Sequence, residues 1–258
     1  MRALTFLSCT ASLMIATPAS SQADSSAAAP PDAAEAVHPE AAEALKRMSD
    51  FLSTLNSFDL TSNSTLDVVT GDDQRVQVGA VVRYKVKRPG IWIDFDSDLK
   101  DRQYFYDGKT FTISSPGLNF YASAPAPATN REFLKAIYDR YGISLPLEDL
   151  FRWNDGDKSD LAALTSGFSM GTAMIDGVPT DHWAFRQGDF DWEVWIEQGD
   201  RPLPRKLVIV DRTDPVRPGY SARLNWTLNP ALTTKDFTFL PGKDALRIPL
   251  ATLAEEPK

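Results

Sequence analysis

The chain has 258 residues, a formal charge of −8, one cysteine and two histidines. An acidic balance with no stripe of lysine and arginine excludes nucleic acid as a partner, because phosphates demand a basic surface. A single cysteine excludes a disulfide framework and cysteine-ligated metal sites.

The amino terminus reads as a secretory signal. Met1 and Arg2 precede an uncharged apolar run from Ala3 to Ala16, and small polar residues follow from Thr17 to Ala23. Ser21-Gln22-Ala23 offers small residues where a signal peptidase reads, so cleavage is expected after about Ala23, with Ala19 as a second candidate. The run of about 14 residues is shorter than the roughly 20 of a spanning helix. Cys9 lies inside this run behind Phe6 and Leu7, so it reads as a small hydrophobe of the signal and not as a lipid-bearing residue. Cleavage removes Cys9 and Arg2. It leaves about 235 residues, a charge of −9 and no second long apolar segment, so no membrane span is expected in the mature chain. That length suffices for one large domain held by a hydrophobic core.

Residues 24–39 are rich in Ala, Ser, Pro and acid and read as a flexible leader. A helix is predicted from near Pro39 to Leu55, where Leu45, Met48, Phe51, Leu52 and Leu55 recur at three- and four-residue steps. The period then changes to two. Val78, Ala80, Val82, Tyr84 and Val86 alternate with polar residues, as do Ile91, Ile93 and Phe95. Short strands are expected around 104–106, 111–113 and 120–122, divided by Asp107-Gly108 and Ser115-Pro116-Gly117.

A helical insert interrupts the strands. Thr129 and Glu132 form a capping-box pattern, Phe133, Leu134, Ile137, Tyr138 and Tyr141 share a side, and Gly142 ends the helix. A second short helix is expected over Leu147–Trp153, an acidic loop over Asp155–Asp160, and a further helical turn at Leu161–Leu164. Strands resume around 182–186, 190–196, 206–210 and 220–228, which makes ten or eleven in all. One-sided alternation with short turns gives an antiparallel sheet with one face covered. The fold class is α+β: a curved antiparallel sheet, long enough to curl toward a barrel, covered by an N-terminal helix and a central helical insert.

Chemistry is sparse. His182 sits in a strand on the polar side, and no Gly-x-Ser-x-Gly supplies a nucleophile for it. Asp94, Asp96 and Asp98 have the opening spacing of a calcium loop, but Leu99 stands where its glycine should be. No catalytic residue, metal or cofactor is therefore expected. Aromatic supply is generous, with six Trp, seven Tyr and fourteen Phe. On a curved sheet capped by helices these residues would line an apolar cavity, the usual form of a small-ligand site.

The stretch Gly79–Tyr121, with Lys87-Arg88-Pro89-Gly90, Ile91-Trp92-Ile93 and Asp107-Gly108-Lys109-Thr110 in order, resembles the lipoprotein carrier LolA and its relatives LolB and RseB. Asn229-Pro230 and Phe237-Thr238-Phe239-Leu240-Pro241-Gly242 resemble that family's last strand and ending. The whole chain is also similar to a family of predicted periplasmic proteins, through Tyr104-Phe105-Tyr106-Asp107-Gly108-Lys109, Tyr141-Gly142-Ile143 with Leu145-Pro146-Leu147, and Trp195-Ile196-Glu197 with Pro202-Leu203-Pro204-Arg205-Lys206. The resemblance implies an unclosed, LolA-like half-barrel over residues 40–250, after a signal peptide (1–23) and leader (24–39) and before a tail (251–258). It implies a periplasmic, non-enzymatic protein that binds a lipid, acyl chain or lipidated partner in an apolar cavity. The alternative it offers is an RseB-like envelope-stress or protein-interaction module. A hydrophobic ligand or a lipoprotein is the expected partner, and a monomer the expected state.

By the same resemblance Arg88 matches the carrier's arginine that helps to hold the helical lid. Asp94 stands where the carrier has a tryptophan, with Trp92 nearby. A carboxylate on the cavity wall would disfavour a pure hydrocarbon ligand. The expected lining is Trp92, Tyr104, Tyr106, Phe133, Ile137, Tyr141 and Phe151, with Arg88 at its edge.

Overall fold

The computed structural model describes residues 36–145, 147 and 162–253. The signal, the leader up to residue 35, the acidic loop and Phe151 lie outside them. So do most of the Leu147–Trp153 helix and the last five residues.

The N-terminal helix forms where its periodicity places it. α1 (Pro39–Thr54) carries proline in its first turn and buries Ala41, Ala44, Leu45, Met48 and Leu52, one face at helical spacing. The residues just before it are tied down. Val37 pairs in parallel with Gly167, through a bond from the His38 amide to the Gly167 carbonyl (2.8 Å) and one from the Gly167 amide to Ala36 (3.3 Å).

Twelve strands follow: β1 (Ser57–Val69), β2 (Arg75–Lys87), β3 (Gly90–Ser97), β4 (Asp101–Tyr106), β5 (Thr110–Ser115), β6 (Phe120–Pro125), β7 (Leu164–Ile175), β8 (Val178–Gln187), β9 (Phe190–Glu197), β10 (Pro204–Asp211), β11 (Gly219–Leu228) and β12 (Leu246–Arg247). α2 (Asn130–Tyr141) lies between β6 and β7. The strands form one sheet in the order β12-β6-β5-β4-β3-β2-β1-β11-β10-β9-β8-β7, which does not close. This is the unclosed antiparallel sheet with helices that the sequence implies. Among the twelve strands of the described residues, the β12–β6 pair is parallel and the rest are antiparallel.

β1 is the keystone, since it pairs with β2 on one side and β11 on the other and so joins two meanders. The sequence pattern does not reveal it. Its helix-side positions are Phe58, Leu60, Ser62, Ser64, Leu66 and Val68, and the two buried serines interrupt the apolar alternation. β7 is equally hidden. Glycines and two register breaks, at Leu164/Ser166 and Ser169/Gly171, destroy its period, and Leu164 opens the strand where the sequence suggests a helical turn.

The helices share one core with one face of the sheet. Leu45 and Met48 of α1 and Phe133, Leu134 and Ile137 of α2 cluster with Leu60, Val82, Tyr84, Ile93, Tyr106, Phe185, Val194 and Leu224. The Thr129 hydroxyl accepts the Glu132 amide at 3.3 Å and so caps α2, and Gly142 ends it in the left-handed region at φ 63°.

After β11 the chain crosses to the opposite face. In the stretch that resembles the carrier family's last strand and ending, Thr234–Phe237 is a single 3-10 turn closed by a Thr233–Asp236 capping box. Phe237 is buried against Gly90, and Phe239 packs on Phe105 (5.2 Å) and Tyr121 (5.0 Å). β12 then covers the β6 edge, and the Leu253 amide bonds to the Arg140 carbonyl at 2.8 Å. The carboxyl segment thus straps the sheet's far face and ends on α2.

Candidate functional site

Four of the expected lining residues meet on the helix side. Strand alternation puts Tyr104 and Tyr106 of β4 on the same side as Ile91 and Ile93, their register partners. Phe133 stacks on Tyr106 with ring centroids 3.9 Å apart and planes 6° from parallel, and it meets Phe111 at 5.3 Å. Ile137 is buried one turn further along α2. The Tyr106 hydroxyl donates to the Pro127 carbonyl at 2.6 Å. Burial, helped by nearby Asp107 and Glu132, pushes the Tyr106 phenol up to about 12. Burial also raises Tyr104, against the pull of Arg102. Tyr141 is half-buried against the same core. Tyr106, Phe133 and Ile137 form a packed joint between α2 and the sheet.

Trp92 does not belong to this group. It alternates with buried Ile91 and Ile93, so it lies on the opposite face, with the Lys85 ammonium 5.2 Å from its ring. The sequence pattern places an aromatic there without saying which face it serves. Asp94 shares that face, where it accepts from Arg83 (3.1 Å) and Gln103 (3.1 Å), so no carboxylate stands on the helix-side wall at this position. Arg88 is exposed at the β2–β3 turn, its amide bonded to the Asn56 carbonyl at 3.2 Å.

His182 is part of a ladder on the far face. It stacks on Trp195 (3.9 Å), its Nε2 lies 2.7 Å from Glu193, and the Lys206 ammonium stands 4.0 Å from the Trp195 ring. Facing register pairs across β8, β9 and β10 produce this arrangement, and each member supports the next.

The apolar surface that the sequence does not single out lies on the helix side, toward the strand ends that the helices leave bare. Phe185, Trp192, Ile209, Tyr220, Leu66 and Val78 face one another in register from β8 to β2. Five strand spacings make this row about 24 Å long. Leu66, Val68, Val76 and Phe190 at its open margin keep 48%, 38%, 43% and 47% of their surface exposed. Beside it runs a row of small side chains, Ala222, Ser64, Ala80 and Ser97, again in register. Ala222 and Ser64 are buried and Ala80 and Ser97 half-buried, and the exposed part of the apolar row is Leu66, with Val68 and Val76 beyond it. Its signal in the sequence is the alternation of Leu66 and Val68 in β1, masked by the serines before it.

A recess of about 570 Å³ lies mainly on the other face, with Gly79, Ala80 and Val81 at its floor. Asn63, Thr65, Asp96, Ser221 and Arg223 line it, and Arg223 is paired with Asp176 at 2.7 Å. Among the described residues no helix is long and apolar enough to cross a membrane, and no three His, Cys, Asp or Glu side chains gather as metal ligands would.

Residues 41–251 match the family described as "Predicted periplasmic protein (DUF2092)". Among solved structures the chain is similar to an uncharacterized conserved protein from Thermus thermophilus, at 14% identity and a TM-score of 0.47, covering 81% of this chain and 99% of that one. It is similar to the Mycobacterium tuberculosis lipoprotein LppX, at 12% identity and a TM-score of 0.47, covering 75% and 98%. It is also similar to a LolA superfamily protein from Nitrosomonas europaea, at 11% identity and a TM-score of 0.37, covering 77% and 97%. No curated protein matches it.

Proposed function

Starting from the premise that this chain belongs to the DUF2092 family of predicted periplasmic proteins, we propose that it is an exported binding protein for a lipid, an acyl chain or a lipidated partner. Export through a signal cleaved after about Ala23 delivers it to the periplasm. The apolar row from Phe185 to Val78, buried at Phe185 and open at Leu66, carries this reading. Leu66, Val68 and Val76 are exposed side by side on β1 and β2, and exposed apolar side chains grouped in this way mark a binding surface. A row of about 24 Å exceeds the roughly 15 Å of one leaflet's hydrocarbon, so an extended acyl chain fits along it. The half-buried small side chains of Ala80 and Ser97 let such a chain lie close to the backbone.

In this reading the ligand lies on the open end of the helix-side face. Tyr106, Phe133 and Ile137 hold α2 against the sheet, and Tyr104 and Tyr141 pack beside them. Binding is the whole function, without catalysis: the His182 ladder braces the far face and leaves its ring stacked on Trp195.

Native mass spectrometry of the protein taken from the periplasm, followed by organic extraction, tests this. The expected result is a co-purifying lipid or acylated species that extraction releases. Protein that carries no lipid, takes up no added fatty acid and crosslinks in cells to a polypeptide would replace this reading with the protein-interaction module.

A further inference from the structure

Beyond the β2 end of the apolar row stand two cations. On the helix-side positions of β2 to β6, Arg102 of β4 is the one charged residue among the described residues. It is half-buried, faces Phe95 in register and shares its side of β4 with Tyr104. Its Nη1 donates to the Asp101 carbonyl at 2.8 Å and to the Ser115 hydroxyl at 2.7 Å, while Nε and Nη2 have no partner among the described residues. The carboxylates of the same turn are engaged by other donors. Asp101 accepts the Gly117 amide at 2.6 Å and the Ser115 hydroxyl at 3.3 Å. Asp98 accepts the Gly79 amide at 2.6 Å on the far face.

Lys100 adds the second charge. It sits in the β3–β4 turn, where its carbonyl accepts the Ser97 amide at 3.1 Å, and its ammonium stands 5.9 Å from the helix-side Phe95 ring. Tyr104 adds a neutral donor. Its hydroxyl has no partner among the described residues. Burial raises its pKa and the Arg102 charge opposes that rise, which places the two groups close together. Nε and Nη2 form the edge of a guanidinium that grips a carboxylate or phosphate with two parallel bonds, and such charge-assisted bonds are about twice as strong as neutral ones. Between these groups and exposed Leu66 lie Ala80 and Ser97, both small and half-buried. Three strand spacings part β1 from β4, about 14 Å, close to the roughly 15 Å of one leaflet's hydrocarbon.

We propose that the ligand is a single-chain amphiphile with an anionic head, a carboxylate or a phosphate monoester, and that Arg102 holds this head with Tyr104 and Lys100. This deepens the lipid-binding reading and rests on it. The tail lies over Leu66, Ala80 and Ser97, and the head meets the Nε and Nη2 edge of Arg102. Tyr104 donates a further hydrogen bond, and Lys100 supplies charge at the rim. The Ser115 hydroxyl and the Asp101 carbonyl hold Nη1 and so fix the guanidinium before the ligand arrives.

Calorimetric titration of the full mature protein with dodecanoate, dodecyl phosphate and dodecanol, each below its micellar concentration, tests this. The two anions should bind at least about tenfold tighter than the alcohol, the gain expected for one charged hydrogen bond. Arg102→Gln should abolish that preference and keep dodecanol binding, which also shows that the variant is folded. Lys100→Gln, in an exposed turn, should weaken both anions about threefold. Dodecyl phosphate binding tighter than dodecanoate identifies a phosphate head, and the reverse order identifies a free fatty acid. Equal affinity for anions and alcohol in the wild type, or a preference that survives Arg102→Gln, overturns this proposal and leaves the lipid-binding reading standing. Uptake of none of the three overturns both.

Discussion

Tyr106 and Phe133 lie ring on ring, 3.9 Å between centroids, and this pair fastens α2 to the sheet. Both rings are buried, and the Tyr106 hydroxyl anchors the Pro127 carbonyl at the approach to α2. Phe133→Ala should cost about 3–5 kcal/mol, because the surrounding rings cannot collapse into the space it leaves. Denaturant unfolding reads the cost, and faster amide exchange confined to α2 would show that the joint opens locally.

Tyr106 also sets an alkaline limit. Its folded pKa, raised to about 12, lies above the unfolded value near 10. The neutral phenol is therefore favoured by folding. Its contribution is complete below about pH 10 and is lost as pH rises through about 12. Tyr106→Phe should flatten the fall of stability between those values and cost about 1 kcal/mol at pH 7 for the lost bond to Pro127. An unchanged alkaline profile in that variant would contradict the assignment.

The strap across the far face depends on Gly90. A Cβ built there meets the Phe237 ring at 2.6 Å, too close for any side chain. Gly90→Ala should therefore lift the Thr234–Phe237 turn and destabilise the protein by about 1–3 kcal/mol. Limited proteolysis reads it directly, with cleavage appearing between residues 230 and 245 in the variant and not in the wild type.

Two carboxylates under the strap respond oppositely to pH. Backbone and side-chain bonds from Thr233, with Lys85 nearby, hold Asp236 below the usual carboxylate range. Its contribution is present above the unfolded carboxylate pKa and is lost as pH falls through the folded value. Burial raises Asp59, and its Oδ1 is buried without a partner, so its charged form is penalised at neutral pH. Asp59→Asn should raise the melting temperature at pH 7 by a few degrees, for about 1 kcal/mol. The gain should shrink in acid, where Asp59 is already neutral. A gain independent of pH would contradict this account.

The sequence carries the fold where side-chain period and burial agree. The α1 stripe, the Thr129 cap, the Gly142 stop and the strands from β2 to β6 are legible for that reason. β1 is not, because Ser62 and Ser64 occupy positions that face the core and hide its alternation. β7 is not, because glycines and bulges break its register. The site is harder to read for a related reason. Aromatic residues in a sequence do not say which face each serves, so the pattern groups Trp92 with Tyr104 although the two point to opposite sides of adjacent strands. Tyr106 and Phe133 belong together, but pairing makes them a joint and not a wall. The apolar row depends on register across six strands, which only the folded sheet supplies.

The most direct measurement is the titration of a fluorescent fatty acid into the mature protein and into Leu66→Asp. Leu66 is half exposed, so the fold tolerates the change, while a carboxylate at the open part of the apolar row must be desolvated by any chain bound there. The account predicts saturable uptake by the wild type and an affinity at least about tenfold weaker in the variant. Equal affinity in the two proteins, or no uptake by the wild type, would contradict it.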